Sequence, residues 1–456
     1  MGVKISARRV LTPSGWLANV AVQIDINGRI AVIGPEGFDA AVAVGTLLPG
    51  MANLHTHSFQ RAMAGLAEGR GPTGSDDFWS WRQVMYRFLE ILTPEDIEAI
   101  AAQVQMDMTL AGYAASAEFH YLHHQPGGQP YADIAETSAR IMAASTTTGI
   151  GLTMLPVLYQ QGGLDGRQLA GGQKRFGNDI GQFQRLYSAV ANAASQMPDD
   201  LRLGVAPHSL RAVNATGLEA CMALCPGGPI HIHAAEQVKE VEEVEAHLKA
   251  RPVRWLLENL PVDARWCLIH ATHLNHGEVA DLAISQAVAG LCPTTEANLG
   301  DGIFPVVDYL AAEGCFGIGS DSNIRLSVAE ELRQLETSQR LKHLQRAILT
   351  SDTQRSTGRY LYERAASGGA QAIGRPAGTI EVGKLADLVA LRDDVPLLDW
   401  PEPDQCLDSW IFGFEGRAVS EVWSAGRHIV QSGQHVRGEA IRSAFAKTMQ
   451  RLRQAL

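Results

Sequence analysis

Four short polar clusters in this chain carry residue types that bind divalent metals and move protons. They are His55-Thr56-His57, His233 with Glu236, His270, and Asp321. Residues two apart on a β-strand point to the same side, so His55 and His57 would face one side together. Three imidazoles and one carboxylate suit a borderline divalent ion such as zinc. We therefore predict a metal site whose ligands are His55, His57, His233 and Asp321.

Such a site predicts hydrolytic chemistry. A bound divalent ion lowers the pKa of its water to about 7, which supplies hydroxide at neutral pH. Hydroxide attacks a carbon that is bonded to nitrogen, and the nitrogen must then leave protonated. Glu236, one helical turn beyond His233, is placed to carry that proton, and His270 to hydrogen-bond the attacking oxygen. We expect Asp321 to combine metal ligation with holding the hydroxyl proton.

Each cluster taken singly also has a simpler explanation. A His-x-His pair arises by chance in many proteins, and His270 has a neighbouring competitor in His273. Asp321 would equally suit the N-cap of the next helix. The metal-site prediction is favoured because all of these residues fall at the ends of predicted strands.

The elements that must position these residues alternate between apolar strand-like segments and amphipathic helices. The predicted strands end near His55, His120, Leu158, Ala206, His233, His270, Cys292 and Gly319. Helix signals separate most of them, including Thr93-Pro94-Glu95-Asp96, residues 236–249 and residues 328–348. Eight βα units over about 300 residues predict a (β/α)8 TIM barrel, with catalytic groups at the C-terminal strand ends. We assign this barrel to residues 49–375.

The two ends of the chain are predicted to form β-structure. In residues 1–48, Asn27-Gly28 has the sequence of a type I′ hairpin turn. Residues 376–456 contain further strand-like runs with glycine turns, followed by a terminal helix. Because a lone hairpin cannot bury a core, we expect the two ends to pack together as one small β-sandwich.

Two glycine-rich segments, residues 65–87 and 159–183, interrupt the alternation of strands and helices. Long loops in compact domains often act as lids over a binding site. Both segments are therefore candidate lids, and a plain surface insertion is the alternative for each.

Bulk properties limit the classes of function. A net charge of −11 over 456 residues argues against a nucleic-acid partner, because phosphate binding needs a basic face. Six cysteines without a C-x-x-C pair predict buried free thiols in a reducing compartment. The first ten residues lack a signal-peptide pattern, and no apolar stretch is long enough to span a bilayer. We predict a cytoplasmic protein with no membrane partner.

These motifs resemble those of the amidohydrolase superfamily. The likeness lies in Leu48-Pro49-Gly50 leading into His55-Thr56-His57, in His233-x-x-Glu236, His270 and Asp321, and in the segment from Gly378 to Val389. Within the superfamily the pattern is similar to the mononuclear aminohydrolases that act on guanine, adenosine-type and chlorotriazine compounds. The fourth predicted strand ends in Ala206-Pro207-His208, with no lysine nearby to bridge a second metal. We therefore expect one divalent ion, Zn²⁺, with Fe²⁺ as the alternative.

A finer resemblance is to the N-formimino-L-glutamate deiminase family. It rests on the segments His55–Ala62, Pro207–Val213 and Cys292–Gly302. That family hydrolyses the formimino C=N bond of a histidine-degradation intermediate and gives N-formyl-L-glutamate and ammonia. The resemblance implies the metal ligands and catalytic residues named above, and a homodimer. It further implies five substrate contacts, which are Gln60, Arg82, Tyr121, His208 and Arg211.

The implied substrate is a small dicarboxylate, and guanidinium groups bind carboxylates bidentately. Arg211 follows the fourth strand end, and Arg82 and Arg61 lie in or beside the first glycine-rich segment. A second hypothesis is an aminohydrolase that releases ammonia from a purine, pterin or triazine ring, with Trp79 and Trp81 as stacking walls. A third is a catalytically silent barrel that serves as an assembly module. It is less favoured because all the predicted metal ligands are present.

Overall fold

The structure is a computed structural model that describes residues 3–35, 40–66, 68–69 and 78–455, the last range with its side chains from residue 81 onward. The strands, in chain order, are β1 (Lys4–Thr12), β2 (Gly15–Ile24), β3 (Ile30–Pro35), β4 (Val42–Pro49), β5 (Met51–Thr56), β6 (Tyr113–His120), β7 (Gly151–Leu158), β8 (Arg202–Leu203), β9 (Ala206–Pro207), β10 (Ile230–Ala234), β11 (Trp266–His270), β12 (Val288–Leu291), β13 (Cys315–Ile318), β14 (Leu388–Leu391), β15 (Val419–Ser424), β16 (Arg427–Gln431) and β17 (Gln434–His435).

The helices alternate with the strands through the middle of the chain. In chain order they are α1 (Phe78–Leu89), α2 (Pro94–Leu110), α3 (Glu136–Thr148), α4 (Ile180–Ala194), α5 (Ala215–Leu224), α6 (Val238–Leu248), α7 (Pro252–Asn259), α8 (His276–Ser285), α9 (Pro293–Leu299), α10 (Val306–Ala311), α11 (Val328–His343), α12 (Thr357–Ala372), α13 (Pro403–Phe412) and α14 (Gly438–Ala455). Short 3-10 helices lie at Ser58–Met63, Gly171–Arg175 and Pro396–Leu398. None of the helices in the described ranges has the length and apolar content needed to cross a membrane.

The middle strands form two parallel sheets that carry the site. One sheet has the order β5-β6-β7-β8, with β9 also paired to β7, and the other has the order β10-β11-β12-β13. Isolated parallel bridges join the two sheets at Val205↔Ile230 and Ser209↔His233 on one side and at Thr56↔Asp321 on the other. Strands β6, β7, β10, β11 and β12 are buried along their whole length, as expected for parallel strands covered on both faces. The eight predicted strand ends are confirmed.

The two ends of the chain meet in a separate sheet, as predicted. Its strand order is β17-β16-β15-β14-β4-β1-β2-β3. β4 is the junction, because it pairs parallel with β1 and antiparallel with β14. Side chains from both ends share one apolar cluster, which includes Ile5, Val22, Leu47, Leu388 and Trp423.

The hairpin turn between β2 and β3 differs from the predicted type I′ turn. That turn requires positive φ at both central residues, but only Gly28 (φ 72°) has it, and Asn27 does not. The Asp25 side chain closes the loop instead, because its Oδ1 accepts hydrogen bonds from the backbone N–H of Asn27 and of Arg29, each at 2.9 Å. An aspartate that bonds its own downstream backbone competes with the tight two-residue turn.

The predicted helix starts are largely confirmed. Thr93 and Asp96 form a capping box at the start of α2, with Pro94 at the first helical position. The helix predicted to reach residue 348 ends at His343, because Leu344 adopts a left-handed conformation (φ 55°). All six cysteines lie within the described ranges, and all are free thiols.

A buried ionic network fastens the terminal sheet to the parallel sheets. Arg375 is 4% exposed, and its guanidinium donates to Asp387 at 2.5 and 2.9 Å and to the Asp200 carboxylate at 3.0 Å. Arg427 on β16 donates to the same Asp200 carboxylate at 2.7 Å. A Cβ at Gly151, the first residue of β7, would meet the Arg375 guanidinium at 2.5 Å. Glycine at this position therefore leaves the space that the guanidinium occupies.

Candidate active site

The predicted metal ligands converge at the carboxyl ends of their strands. His55 lies near the end of β5 and His57 directly follows that strand, His233 lies near the end of β10, and Asp321 follows β13. The Nε2 atom of His55 lies 3.2 Å from Nε2 of His233 and 3.5 Å from Oδ1 of Asp321. Nε2 of His57 lies 3.4 Å from the same carboxylate oxygen. All four side chains are buried.

The donor set fits a divalent cation. The Nδ1–H groups of His57 and His233 donate to the backbone carbonyls of Phe119 and His208, each at 3.0 Å, which turns both Nε2 lone pairs towards the centre. Two buried imidazole nitrogens only 3.2 Å apart, as in His55 and His233, need a proton or a cation between them. Imidazole nitrogens with one carboxylate are ligands that zinc accepts.

The protonation states also suit ligation. Burial lowers the pKa of His55 to about 3 and lowers the pKa of His57 and of His233, so their imidazoles are neutral. Burial opposes ionisation of Asp321, but the hydrogen bond with His55 and the neighbouring histidines outweigh it and lower the carboxyl pKa. Neutral imidazole and ionised carboxylate are the forms that bind metals.

Replacing His55 by alanine is expected to lower the metal content of purified protein well below about one ion per chain, because one of four ligands is lost. Elemental analysis after dialysis measures this. His231→Ala is the matched control, since His231 is also buried on a strand, but its Nε2 bonds the Ala372 carbonyl at 2.7 Å, away from the site. Full metal occupancy in His55→Ala would remove His55 from the ligand set.

Asp321 lies in a turn whose backbone is hydrogen-bonded to the end of β5. Its backbone N–H donates to the His55 carbonyl at 2.9 Å, and its carbonyl accepts from the His57 N–H at 3.0 Å. Asp321 adopts a left-handed conformation (φ 46°), which non-glycine residues adopt only when the surroundings enforce it. Gly319 permits the close approach, since a Cβ there would lie 2.9 Å from His55 backbone atoms.

Glu236 and His270 face each other beside the ligands. Oε1 of Glu236 lies 3.8 Å from Nε2 of His270, which lies 3.8 Å from Oδ2 of Asp321. The other ring nitrogen, Nδ1, lies 3.2 Å from the Glu296 carboxylate, which fixes the ring. Burial would lower the pKa of His270, but the surrounding carboxylates, Glu236 first, raise it to about 10. Burial raises the pKa of Glu236.

Sequence reasoning missed two buried carboxylates that support this pair. Glu240, fully buried, accepts hydrogen bonds from the backbone N–H groups of Ala235 and Glu236 at 3.2 and 3.0 Å and so holds the turn that carries Glu236. Glu296 accepts from the Cys292 N–H at 2.8 Å as well as contacting His270. Two sequence signals were available. Each acid lies four residues beyond the group that it caps, and Glu296 lies within the segment Cys292–Gly302 that carries the family resemblance.

The five predicted substrate contacts line one pocket with the catalytic centre, here called the inner pocket. Its lining is His57, Gln60, Trp81, Arg82, Met85, Tyr121, Phe176, His208, Arg211, His233, Glu236, His270, Leu299 and Asp321. Gln60 Nε2 donates to the Tyr121 hydroxyl at 2.8 Å, while Gln60 Oε1, within the described structure, has no hydrogen-bond partner. The inner pocket therefore presents an unmatched acceptor beside the metal ligands.

Two guanidinium groups border the inner pocket. Nη2 of Arg211 lies 3.8 Å from Glu236 and 4.0 Å from Glu240. Nη2 of Arg82 donates to the Tyr159 hydroxyl at 2.8 Å. Burial and then the charges of Arg211 and Arg82 hold the pKa of His208 well below its usual value, so this imidazole is neutral. The pocket wall thus combines fixed positive charge with a neutral hydrogen-bonding ring.

The structure also locates the other residues that the sequence analysis considered for the site. Arg61 donates to the carbonyls of Asn323 and Ile324, each at 2.9 Å, so it supports the turn after β13 and does not line the inner pocket. His273 bonds the Asp301 carbonyl at 2.8 Å, which leaves His270 as the histidine of the site. Trp81 lines the inner pocket, and the side chain of Trp79 lies outside the described residues.

The chain belongs to the amidohydrolase family, whose sequence profile matches residues 46–429. It is 48% identical, over 98% of both chains, to the formimidoylglutamate deiminase of Pseudomonas aeruginosa. The crystal structure of an amidohydrolase from Brucella melitensis is 46% identical and superposes with a TM-score of 0.94 over 99% of both chains. An adenosine deaminase from Xanthomonas campestris with bound zinc shares the fold at 22% identity, with a TM-score of 0.81 over 99% of this chain and 98% of its own.

Proposed function

We propose that this protein hydrolyses N-formimino-L-glutamate to N-formyl-L-glutamate and ammonia. The observation that carries the proposal is the 48% identity to a formimidoylglutamate deiminase over 98% of both chains. The buried histidine and aspartate centre and the two arginines on the same pocket support it, because the reaction needs activated water and the substrate carries two carboxylates.

We infer that the two parallel sheets are parts of one closed (β/α)8 barrel spanning residues 49–375. The isolated bridges Val205↔Ile230 and Thr56↔Asp321 support closure at both junctions between the sheets. We also infer that residues 1–48 and 376–456 form one domain whose sheet folds over itself as a small sandwich. The shared apolar cluster and the bridge Arg29↔Leu385 support this second inference.

One divalent ion, zinc, is proposed as the cofactor, held by His55, His57, His233 and Asp321. Two overlapping groups of candidate ligand atoms support the assignment, namely His55 with His57 and His233, and His55 with His270 and Asp321, each with its atoms within 4.8 Å of one another. The zinc bound by the structurally similar adenosine deaminase also supports it. When bound, the ion supplies Lewis-acid activation of water at neutral pH. The homodimer and the cytoplasmic location stay predictions.

Glu236 and His270 carry out the proton transfer and the charge stabilisation that the reaction needs. Water adds its oxygen to the formimino carbon, and the Glu236 carboxylate accepts a water proton and returns it to the imino nitrogen. The remaining hydroxyl proton, held by the Asp321 carboxylate, then passes to the amino nitrogen as the carbon–nitrogen bond breaks. Ammonia leaves, and the former water oxygen becomes the formyl oxygen. The Nε2 side of His270, held in place through Glu296, faces the centre and stabilises negative charge on that oxygen.

Substrate carboxylates are proposed to bind Arg211 and Arg82. Their guanidinium groups line the inner pocket with Tyr121 and His208, whose polar atoms supply neutral hydrogen bonds. Oε1 of Gln60 is an acceptor suited to a substrate N–H group. This arrangement orients the formimino carbon towards Glu236.

Arg211→Met is expected to weaken substrate binding by about 2–5 kcal/mol, because a buried carboxylate loses its charged partner. The loss should appear in kcat/KM. Arg254→Met is the control, since Arg254 pairs with Glu258 and Asp281 on the outer helices α7 and α8. An unchanged kcat/KM in Arg211→Met would exclude Arg211 as a carboxylate clamp.

The test of function is ammonia release by metal-loaded protein given N-formimino-L-glutamate, guanine, adenosine or a triazine. We expect turnover of the formimino compound alone. Turnover of a ring compound instead would support the aminohydrolase alternative, which the aromatic residues Trp81, Tyr121 and Phe176 in the inner pocket favour. Metal binding without any turnover would favour a non-catalytic module.

A further inference from the structure

A second cavity, here called the outer cavity, adjoins the inner pocket. Arg82, His208 and Arg211 line both cavities and so form the wall between them. On its outer side this cavity is bordered by Arg167 and Lys239. Four basic side chains therefore surround one space, although the chain as a whole carries a net charge of −11.

The solvent exposure of these basic side chains decreases from the outer side of the outer cavity towards the catalytic centre. The side chains of Arg167 and Lys239 are 67% and 58% exposed, whereas that of Arg211 is 11% exposed. Among the described residues, Glu243 is the acidic residue that lines the outer cavity, and it lies 3.9 Å from Lys239. Asp165 lies 3.5 Å from Arg167 but is not part of the lining. The described lining therefore carries four basic side chains and one acidic side chain.

Arg167 is held in place by the glycine-rich loop that carries it. Its Nε donates to the Gly162 carbonyl at 3.1 Å, and its carbonyl accepts from the Gly162 N–H at 2.7 Å. A Cβ on Gly163 would meet the guanidinium at 2.6 Å. Glycine at position 163 therefore lets the guanidinium lie across the loop and border the cavity. This segment is the second of the two predicted lids.

We propose that the outer cavity is a vestibule in which Arg167 and Lys239 engage the carboxylates of the substrate before Arg82 and Arg211 take them over. The proposal rests on the proposed function in one respect, namely that the substrate is a dicarboxylate. Clefts lined by one sign of charge raise the local concentration of oppositely charged ligands and their association rates. The vestibule would select anions at a surface that otherwise repels them.

The experiment compares wild type, Arg167→Gln, Lys239→Gln and the double variant, using kcat/KM for N-formimino-L-glutamate at low and high salt. At about 20 mM salt we expect the double variant to lose about threefold to tenfold in kcat/KM. At about 1 M salt the values should converge, because the Debye length falls to about 3 Å. The loss should fall on kcat/KM and not on kcat.

Two further variants separate charge from loop structure. Arg167→Lys keeps the charge and should retain most of the wild-type kcat/KM. Arg392→Gln is the matched control, since Arg392 also pairs with an aspartate two residues away but lies at the end of β14. The proposal is overturned if the double variant matches Arg392→Gln at low salt, or if Arg167→Lys is as impaired as Arg167→Gln.

The association rate constant of glutarate, followed by stopped-flow tryptophan fluorescence, distinguishes failure of this proposal from failure of the proposed function. If wild type does not turn over the formimino compound, the proposed function fails. Slower association of glutarate with the double variant at low salt, but not at high salt, would still support the vestibule. Equal association rates in wild type and the double variant at low salt would overturn it.

Discussion

Glu236→Gln is expected to lower kcat by roughly 100- to 10,000-fold while the metal stays bound. Glutamine keeps the size of the side chain but cannot carry a proton between water and nitrogen. The geometry confines the loss to proton transfer, because Glu236 faces His270 at 3.8 Å and is not among the residues that group as metal ligands. Steady-state ammonia release and elemental analysis measure the two quantities separately.

Glu242→Gln is the matched control for this substitution. Glu242 lies on α6, the helix that follows Glu236, and its side chain is exposed. Normal turnover in Glu236→Gln would remove Glu236 from the mechanism. Loss of metal along with activity would instead indicate that Glu236 supports the ligands and not the proton transfer.

The second large effect is expected for stability. Arg375→Met should lower the free energy of unfolding by about 3–5 kcal/mol, because it leaves the buried carboxylates of Asp387 and Asp200 without their shared partner. Arg427 still reaches Asp200 from β16, so the larger penalty falls on Asp387. Urea unfolding followed by tryptophan fluorescence and by circular dichroism measures the change.

Arg392→Met serves as the comparison, since the ion pair of Arg392 with Asp394 is exposed. Exposed pairs contribute about 1 kcal/mol or less. A similarly small loss in Arg375→Met would contradict the assignment of Arg375 to the buried ionic network that joins the terminal sheet to the parallel sheets. Should Arg375→Met fail to fold, Arg427→Met, which removes only one of the two guanidinium groups on Asp200, gives a measurable intermediate loss.

The strand ends, and the convergence of the polar side chains that follow them, were predictable because they depend on local patterns. A buried parallel strand is a continuous apolar run, and the polar residue that ends it marks the carboxyl edge of the sheet. His55, His233 and His270 were found in this way, and each lies at or next to its predicted strand end. The predicted substrate contacts Arg82 and Arg211 depended on the family resemblance, because an arginine in a loop has no local signature.

The supporting residues could not be predicted, because their roles depend either on distant partners or on the conformation of a nearby turn. Arg375 contacts Asp200, which is 175 positions away in sequence, and no local pattern reports that contact. Glu240 and Glu296 resemble ordinary helix glutamates until the backbone turns that they cap are known. The prediction of a type I′ turn at Asn27-Gly28 was wrong for the opposite reason. The sequence favours that turn strongly, but hydrogen bonds to the neighbouring Asp25 side chain determine the loop conformation instead.

The position of β4 in the terminal sheet has a consequence for synthesis on the ribosome. β4 lies between β1 and β14, and Gly50 alone separates it from β5, which carries His55. A nascent chain will therefore have made all four proposed metal ligands before Leu388–Leu391 emerges to pair with β4. Until then β4 presents an open edge, and unpaired strand edges recruit other chains. Translation that stalls between Asp321 and Leu388 should therefore yield aggregates and not a metal-binding fragment.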